Sequence, residues 1–187
     1  MYIPKNHEIE MHSGVYVDLA KPQAQQILLE DIAFSLSNIC RYGGHVRFYN
    51  VAQHSVLVAQ RLALLGEDIE TQLAGLHHDD PEAYIGDIPK PLKPLLPSLK
   101  QLNHQFEQAI KEALDLNHLN FDLPCIKAVD NWALSYEAYW LMHSRGQSWE
   151  TADLYTPGED SDPGKLSRWS PRIAEAIFLS THTGLVQ

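Results

Sequence analysis

The chain has 187 residues, 44% of them hydrophobic and 20% charged, with a formal net charge of -10. These values fit a single domain over residues 1–187 with a full core, and the acidic balance argues against a general nucleic-acid binder, which needs a basic footprint. No run approaches about 18 consecutive apolar residues, so no membrane span is expected. The opening MYIPKNHEIE has no apolar secretory region, and Cys40 and Cys125 belong to no C-x-x-C pair. The expectation is a cytoplasmic protein whose two cysteines act as small buried hydrophobes.

In chain order, residues 12–22 (HSGVYVDLAKP) read as an extended arm or small hairpin ending at Pro22. From Leu28, the residues Leu29, Ile32, Leu36 and Ile39 recur at helical spacing up to the break at Gly43-Gly44. Arg41 falls near the end of that helix. Residues 50–65 form the clearest helix, with Asn50 as N-cap, a stripe of Val51, Val58, Leu62 and Leu65, and Gly66 as terminator. His54 lies on the same stripe. A third helix covers 68–79 and runs into Asp80-Pro81. The prolines at 89, 91, 94 and 97 predict a loop or broken helix over 82–97.

An amphipathic helix is expected over 99–115 and another over 124–144, where Trp132, Tyr136, Tyr139 and Trp140 read as scaffold. The Pro-, Gly- and acid-rich stretch 150–167 reads as a surface loop, flanked by Trp149 and Trp169, for which no role is assigned. Ser170-Pro171 opens a last helix through Phe178. Strands are nearly absent, so the prediction is an all-α bundle of roughly six helices with a short N-terminal arm.

The residues that carry chemistry are His54, His78, Asp79 and Asp130. Two imidazoles and two carboxylates from three helical segments are the donor types for a divalent ion, and converging helices of a bundle commonly build such a site. This donor set suits Mn, Fe, Co, Ni or Zn better than Ca; Mg is also considered. The bland reading is that the histidines are partly buried core residues and that Asp130 pairs locally.

The flanking residues add specificity. Asn50-Val51-Ala52-Gln53-His54-Ser55, the run His78-Asp79-Asp80-Pro81-Glu82 and the segment Gly86-Asp87-Ile88-Pro89-Lys90-Pro91-Leu92-Lys93 precede Lys127-Ala128-Val129-Asp130. Together they resemble the HD-domain metal-dependent phosphohydrolases, in the small branch of bacterial 5′-deoxynucleotidases and phage dATP triphosphohydrolases. The likeness runs from about Glu30 to Ala138, and the combined motif points to the family rather than to a substrate.

The resemblance implies an HD-domain helical bundle with His54, His78, Asp79 and Asp130 as metal ligands. It implies Glu82 as the group that orients or deprotonates the attacking water, and Asp87 as a residue fixing the adjacent loop or outer shell. His77 is read as an outer-shell or packing residue, because the residues after His78 fix the register. Asp80 departs from the small residue usual there, and is expected to cap the next helix or to recruit a second ion.

Arg41-Tyr42 matches an Arg-aromatic pair that contacts nucleotide in the related 5′-deoxynucleotidases, with Tyr in place of the Trp of some relatives. Arginine is a natural phosphate clamp and an aromatic face stacks a base. Arg47, Lys90 and Lys93 are further phosphate candidates. The implied reaction is hydrolysis of the 5′ phosphoester of a deoxynucleotide. It releases triphosphate from a dNTP such as dATP or phosphate from a dNMP, and the motifs are shared by both. Alternatives are a non-catalytic metal- or nucleotide-binding module, and a cyclic-nucleotide or (p)ppGpp hydrolase. A small-molecule partner and a homo-oligomer are what the resemblance implies, with no nucleic-acid polymer and no membrane as partner.

Overall fold

The computed structural model describes residues 6–158 and 165–187. Among these, the fold is all-α: six helices of nine residues or more, one four-residue helix and a single two-stranded sheet. The arm is a hairpin. β1 (Glu8–Glu10) pairs antiparallel with β2 (Tyr16–Asp18), with Ile9 opposite Val17. Val17 is the member that reaches the core. The hairpin is pinned to the first helix by Asp31, whose carboxylate accepts from Ser13 N–H (2.8 Å) and Ser13 Oγ–H (2.6 Å).

The helices are α1 (Leu29–Asn38), α2 (Val51–Leu64), α3 (Ile69–His77), α4 (Glu82–Ile85), α5 (Leu99–Ala113), α6 (Pro124–Leu141) and α7 (Pro171–Leu185). Their starts have a common cause. Asn50, Asp68 and Ser170 each accept a backbone N–H three residues on, satisfying a donor that the helix leaves free. α2 is the central helix, packed against α1, α3, α6 and α7. It buries Val51, Ala52, Val56, Val58, Ala59 and Leu62, and His54 lies buried among them. Ile32 and Leu36 of α1, Leu73 and Leu76 of α3, Ile126 and Val129 of α6 and Phe178 of α7 complete the core.

Several expectations change. Leu65 is exposed, because α2 ends at Leu64 and Gly66 turns the chain at φ +82°. The first helix stops at Asn38, so Arg41 belongs to an extended segment in which its N–H donates to Tyr49 O (2.9 Å). Cys40 and Cys125 are free and half-buried rather than fully enclosed. The last helix continues past Phe178 to Leu185. The 82–97 stretch is a broken helix as expected, holding only the four-residue α4 and a 3-10 turn at Lys93–Leu95. Of the expected 150–167 loop, residues 159–164 lie outside the described residues; the rest includes a 3-10 turn at Ala152–Leu154 and the buried Tyr155. Tyr155 meets Trp132, Tyr136 and Tyr139 edge-on, which explains the aromatic side of α6 as packing. No helix among the described residues is long and apolar enough to cross a membrane.

Candidate metal centre

Three helices deliver the candidate donors. α2 supplies His54 from its buried face, the end of α3 supplies His78 and the following Asp79, and α6 supplies Asp130. His54 Nε2 lies 3.5 Å from Asp79 Oδ2 and 3.2 Å from Asp130 Oδ1. His78 Nε2 lies 3.3 Å and 4.0 Å from the same two oxygens. Two donors each about 2.0–2.2 Å from one ion stand roughly 3 Å apart, so these separations suit a shared ion. His54, His78 and Asp79 offer ligand atoms all within 4.8 Å of one another and could hold a metal ion. Among the described residues, neither Nε2 has a hydrogen-bond partner although both are buried. Two buried imidazole nitrogens whose only near neighbours are carboxylate oxygens at 3.2 Å or more are costly to leave so unless something else meets them.

The other nitrogen of each ring is held. His78 Nδ1–H donates to Gly75 O (2.7 Å), which leaves the Nε2 lone pair of the neutral ring for an ion. His54 Nδ1 is 2.6 Å from Glu137 Oε1. Glu137 also accepts from Tyr49 OH (3.1 Å), Tyr42 OH (2.8 Å) and Arg41 Nε–H (3.1 Å). It is fully buried and was not expected from the sequence.

The electrostatics follow. Burial opposes charge on Asp79, but His78, His54 and Arg41 outweigh it and hold this carboxyl well below the usual carboxylate range. Asp130, despite burial, is lowered to about 2, chiefly by His54 and His78. Glu82 goes the other way. Burial, with the charges of Asp79 and Asp87, raises its pKa well above the ordinary value. Glu82 Oε2 has no hydrogen-bond partner among the described residues, and Oε1 lies 3.9 Å from Lys93 Nζ.

Arg41 is brought into the cluster, its Nη1 3.6 Å from Asp79 Oδ2. Tyr42 follows, in the left-handed region at φ +60°, a strained conformation for a non-glycine. Its N–H is held by Asp87 Oδ2 (3.0 Å), so Asp87 fixes the 41–44 loop rather than a metal-bound histidine. The Tyr42 ring lies against Arg41 on one side and stacks with Trp149 at 6.2 Å. Arg47 and Lys90 are exposed and stand outside the cluster.

Asp80 does not cap the next helix and pairs with His77 instead. Its carboxylate is buried 2.6 Å from His77 Nδ1, and α4 has Pro81 as an N-cap with no side-chain hydrogen bond. His77 Nε2 in turn meets His182 Nδ1 (2.9 Å), and its ring packs edge-on against Phe178. His77 is thus a packing residue that fastens α3 to α7. His182 carried no sequence signal, being one of ten histidines, on a helix read as ending earlier.

No family model matches the chain. Two relatives are similar to it. The uncharacterized protein YfdR of Escherichia coli K12 is 42% identical over 109 residues, which is 58% of this chain and 58% of YfdR. An uncharacterized protein of Rhodobacter capsulatus is 34% identical over 122 residues, 62% of this chain and 59% of its own length. In both, the matched stretch spans less than two thirds of the relative.

Proposed function

We propose that the chain is a metal-dependent hydrolase of the HD-domain type that cleaves the 5′ phosphoester of a deoxynucleotide. The substrate is a dNTP, releasing triphosphate, or a dNMP, releasing phosphate. The single observation that carries the reading is the convergence of His54 Nε2, His78 Nε2, Asp79 and Asp130 beside an unpaired Glu82 oxygen and the Arg41 guanidinium. A bare structural ion would need the ligands alone. The adjacent base and cation are what hydrolysis adds.

In this reading His54, His78, Asp79 and Asp130 hold a divalent ion such as Mn, Co, Zn, Fe, Ni or Mg. The ion, when bound, acts as a Lewis acid on the phosphoryl oxygen and lowers the pKa of water. Glu82 takes the proton of the attacking water as the water oxygen reaches phosphorus. Its raised pKa makes the ionised carboxylate a stronger base than a solvated glutamate. Arg41 neutralises charge on the phosphoryl oxygens, its direction fixed by Glu137 through Nε. The bond to the nucleoside 5′ oxygen breaks, and that oxygen leaves with the proton that Glu82 took from the water, which restores the carboxylate. Lys93 stands at the rim to meet outer phosphates, and the Tyr42–Trp149 pair offers aromatic faces for a base.

The test is a panel of dNMPs and dNTPs with Mn, Co, Mg and Zn, reading released phosphate against released triphosphate. Glu82→Ala should lower turnover by about 10²–10⁴-fold while metal stays bound. Turnover that survives this change with metal in place would show the mechanism to be wrong. No turnover with any nucleotide would leave a metal-binding module.

A further inference from the structure

The geometry points to Glu137 as a positioning residue that joins the metal-holding half of the site to its phosphate-holding half. The inference rests on the functional reading above. A carboxylate at 0% exposure is costly to desolvate unless its lone pairs are met. Here four donors meet them, and they divide between the two oxygens. Oε1 takes His54 Nδ1 and Tyr49 OH; Oε2 takes Arg41 Nε and Tyr42 OH.

The Oε1 side sets the metal ligand. A carboxylate accepts only, so it selects the His54 tautomer protonated at Nδ1 and leaves Nε2 as the lone-pair donor, 3.2 Å from Asp130 Oδ1. The Oε2 side sets the anion contact. Holding Nε fixes the guanidinium plane, and the Nη groups are left for other partners, Nη1 already 3.6 Å from Asp79. The same oxygen steadies the Tyr42 ring beside Arg41. Glu137 stands on α6 two helical turns after Asp130, so one rigid element places a candidate ligand and the anchor of both halves. Movement of this carboxylate therefore shifts His54 and Arg41 together.

The experiment compares the full-length wild type with Glu137→Gln, both stripped of metal. Mn²⁺ is titrated by calorimetry, then inorganic phosphate is titrated into the Mn-loaded proteins. Metal affinity should fall about 10- to 100-fold, as for other carboxylates that orient metal-bound histidines, and phosphate affinity should fall as well. Imidazole ¹⁵N shifts of metal-free wild type, at a pH above the titration of His54, should show Nδ1 protonated. A glutamate that merely packs, without accepting from Nδ1, does not select that tautomer. If Glu137→Gln does not fold, the wild-type tautomer decides, and protonation at Nε2 overturns the proposal. Wild-type metal affinity in Glu137→Gln overturns it too, as does weakened metal binding with unchanged phosphate binding. A wild type that binds no divalent ion overturns the functional reading as well. Binding that is equal in both proteins overturns only the role of Glu137.

Discussion

In the proposed reading, a proton and a metal ion compete for one nitrogen of His78. Burial pulls its pKa down, but the charges of Asp79 and Asp130 and the Gly75 carbonyl outweigh it and raise the value to about 9. The pKa of His54 is raised as well, with burial and Arg41 opposed by Glu137 and Asp130. Asp79 and Asp130 are already ionised near neutrality and release nothing. The sign is then fixed. Below about 9 the metal-free His78 holds a proton that an ion must displace, so apparent metal affinity rises with pH and levels off above that value. The slope is about tenfold per pH unit for each displaced proton. Calorimetry of Mn²⁺ binding in buffers of different ionisation heat should detect proton release at neutral pH. An affinity independent of pH from neutrality upward contradicts it. His54, His78 and Asp79, the group that could hold an ion, were legible because a His-Asp pair with flanking motif residues has no use in an apolar stripe. Glu137 was not, because a glutamate between Tyr136 and Ala138 looks like any solvated helix residue. Its spacing of two turns from Asp130 is the one signal that could have marked it.

α2 meets α3 tightly beside the site. Gly75 makes it possible: a Cβ there would overlap Leu62 Cδ1 and touch Val58 Cγ1 at 3.4 Å. Leu62 is itself fully buried. Gly75→Ala gains up to about 1 kcal/mol of helix propensity but forces the helices apart at about 1–3 kcal/mol. The Gly75 carbonyl also orients His78, so separation of the helices moves a donor atom. The expected outcome is a lower melting temperature together with weaker Mn²⁺ binding. A variant that melts and binds like wild type sinks the argument. Helix starts were legible for local reasons, since Asn50 and Ser170 are short-range caps whose hydrogen bonds lie within one turn. Ends were less so. α7 runs on through Gly184, where propensity predicts a stop, because Ala174 and Phe178 of this helix are already docked in the core and the backbone continues from there. Arg41 was placed on a helix because the apolar spacing through Ile39 continues. The backbone instead turns extended to bridge Cys40 to Asn50, a pairing between segments that periodicity does not encode.

For the molecule as a whole, the candidate centre lies where α2, α3 and α6 approach one another, and α2 is the helix on which most of the bundle packs. In the proposed reading an ion held by His54, His78, Asp79 and Asp130 ties together three helices that the hydrophobic core and the His54–Glu137 hydrogen bond already join. It binds the folded chain, since the unfolded chain scatters these donors over segments far apart in sequence. By linkage, free metal at about 100 times its dissociation constant adds about 2.7 kcal/mol. A chain of this size gains about 2–4 °C per kcal/mol, so the melting temperature should rise by about 5–11 °C. A chelator should reverse the rise. Asp130→Ala should shrink the gap between metal-loaded and metal-free protein, because it removes the only donor that α6 contributes to the set. Melting curves with and without saturating Mn²⁺ measure this directly. Equal curves for the wild type would mean that the three helices share no ion, and that the unpaired Nε2 atoms of His54 and His78 are satisfied in another way.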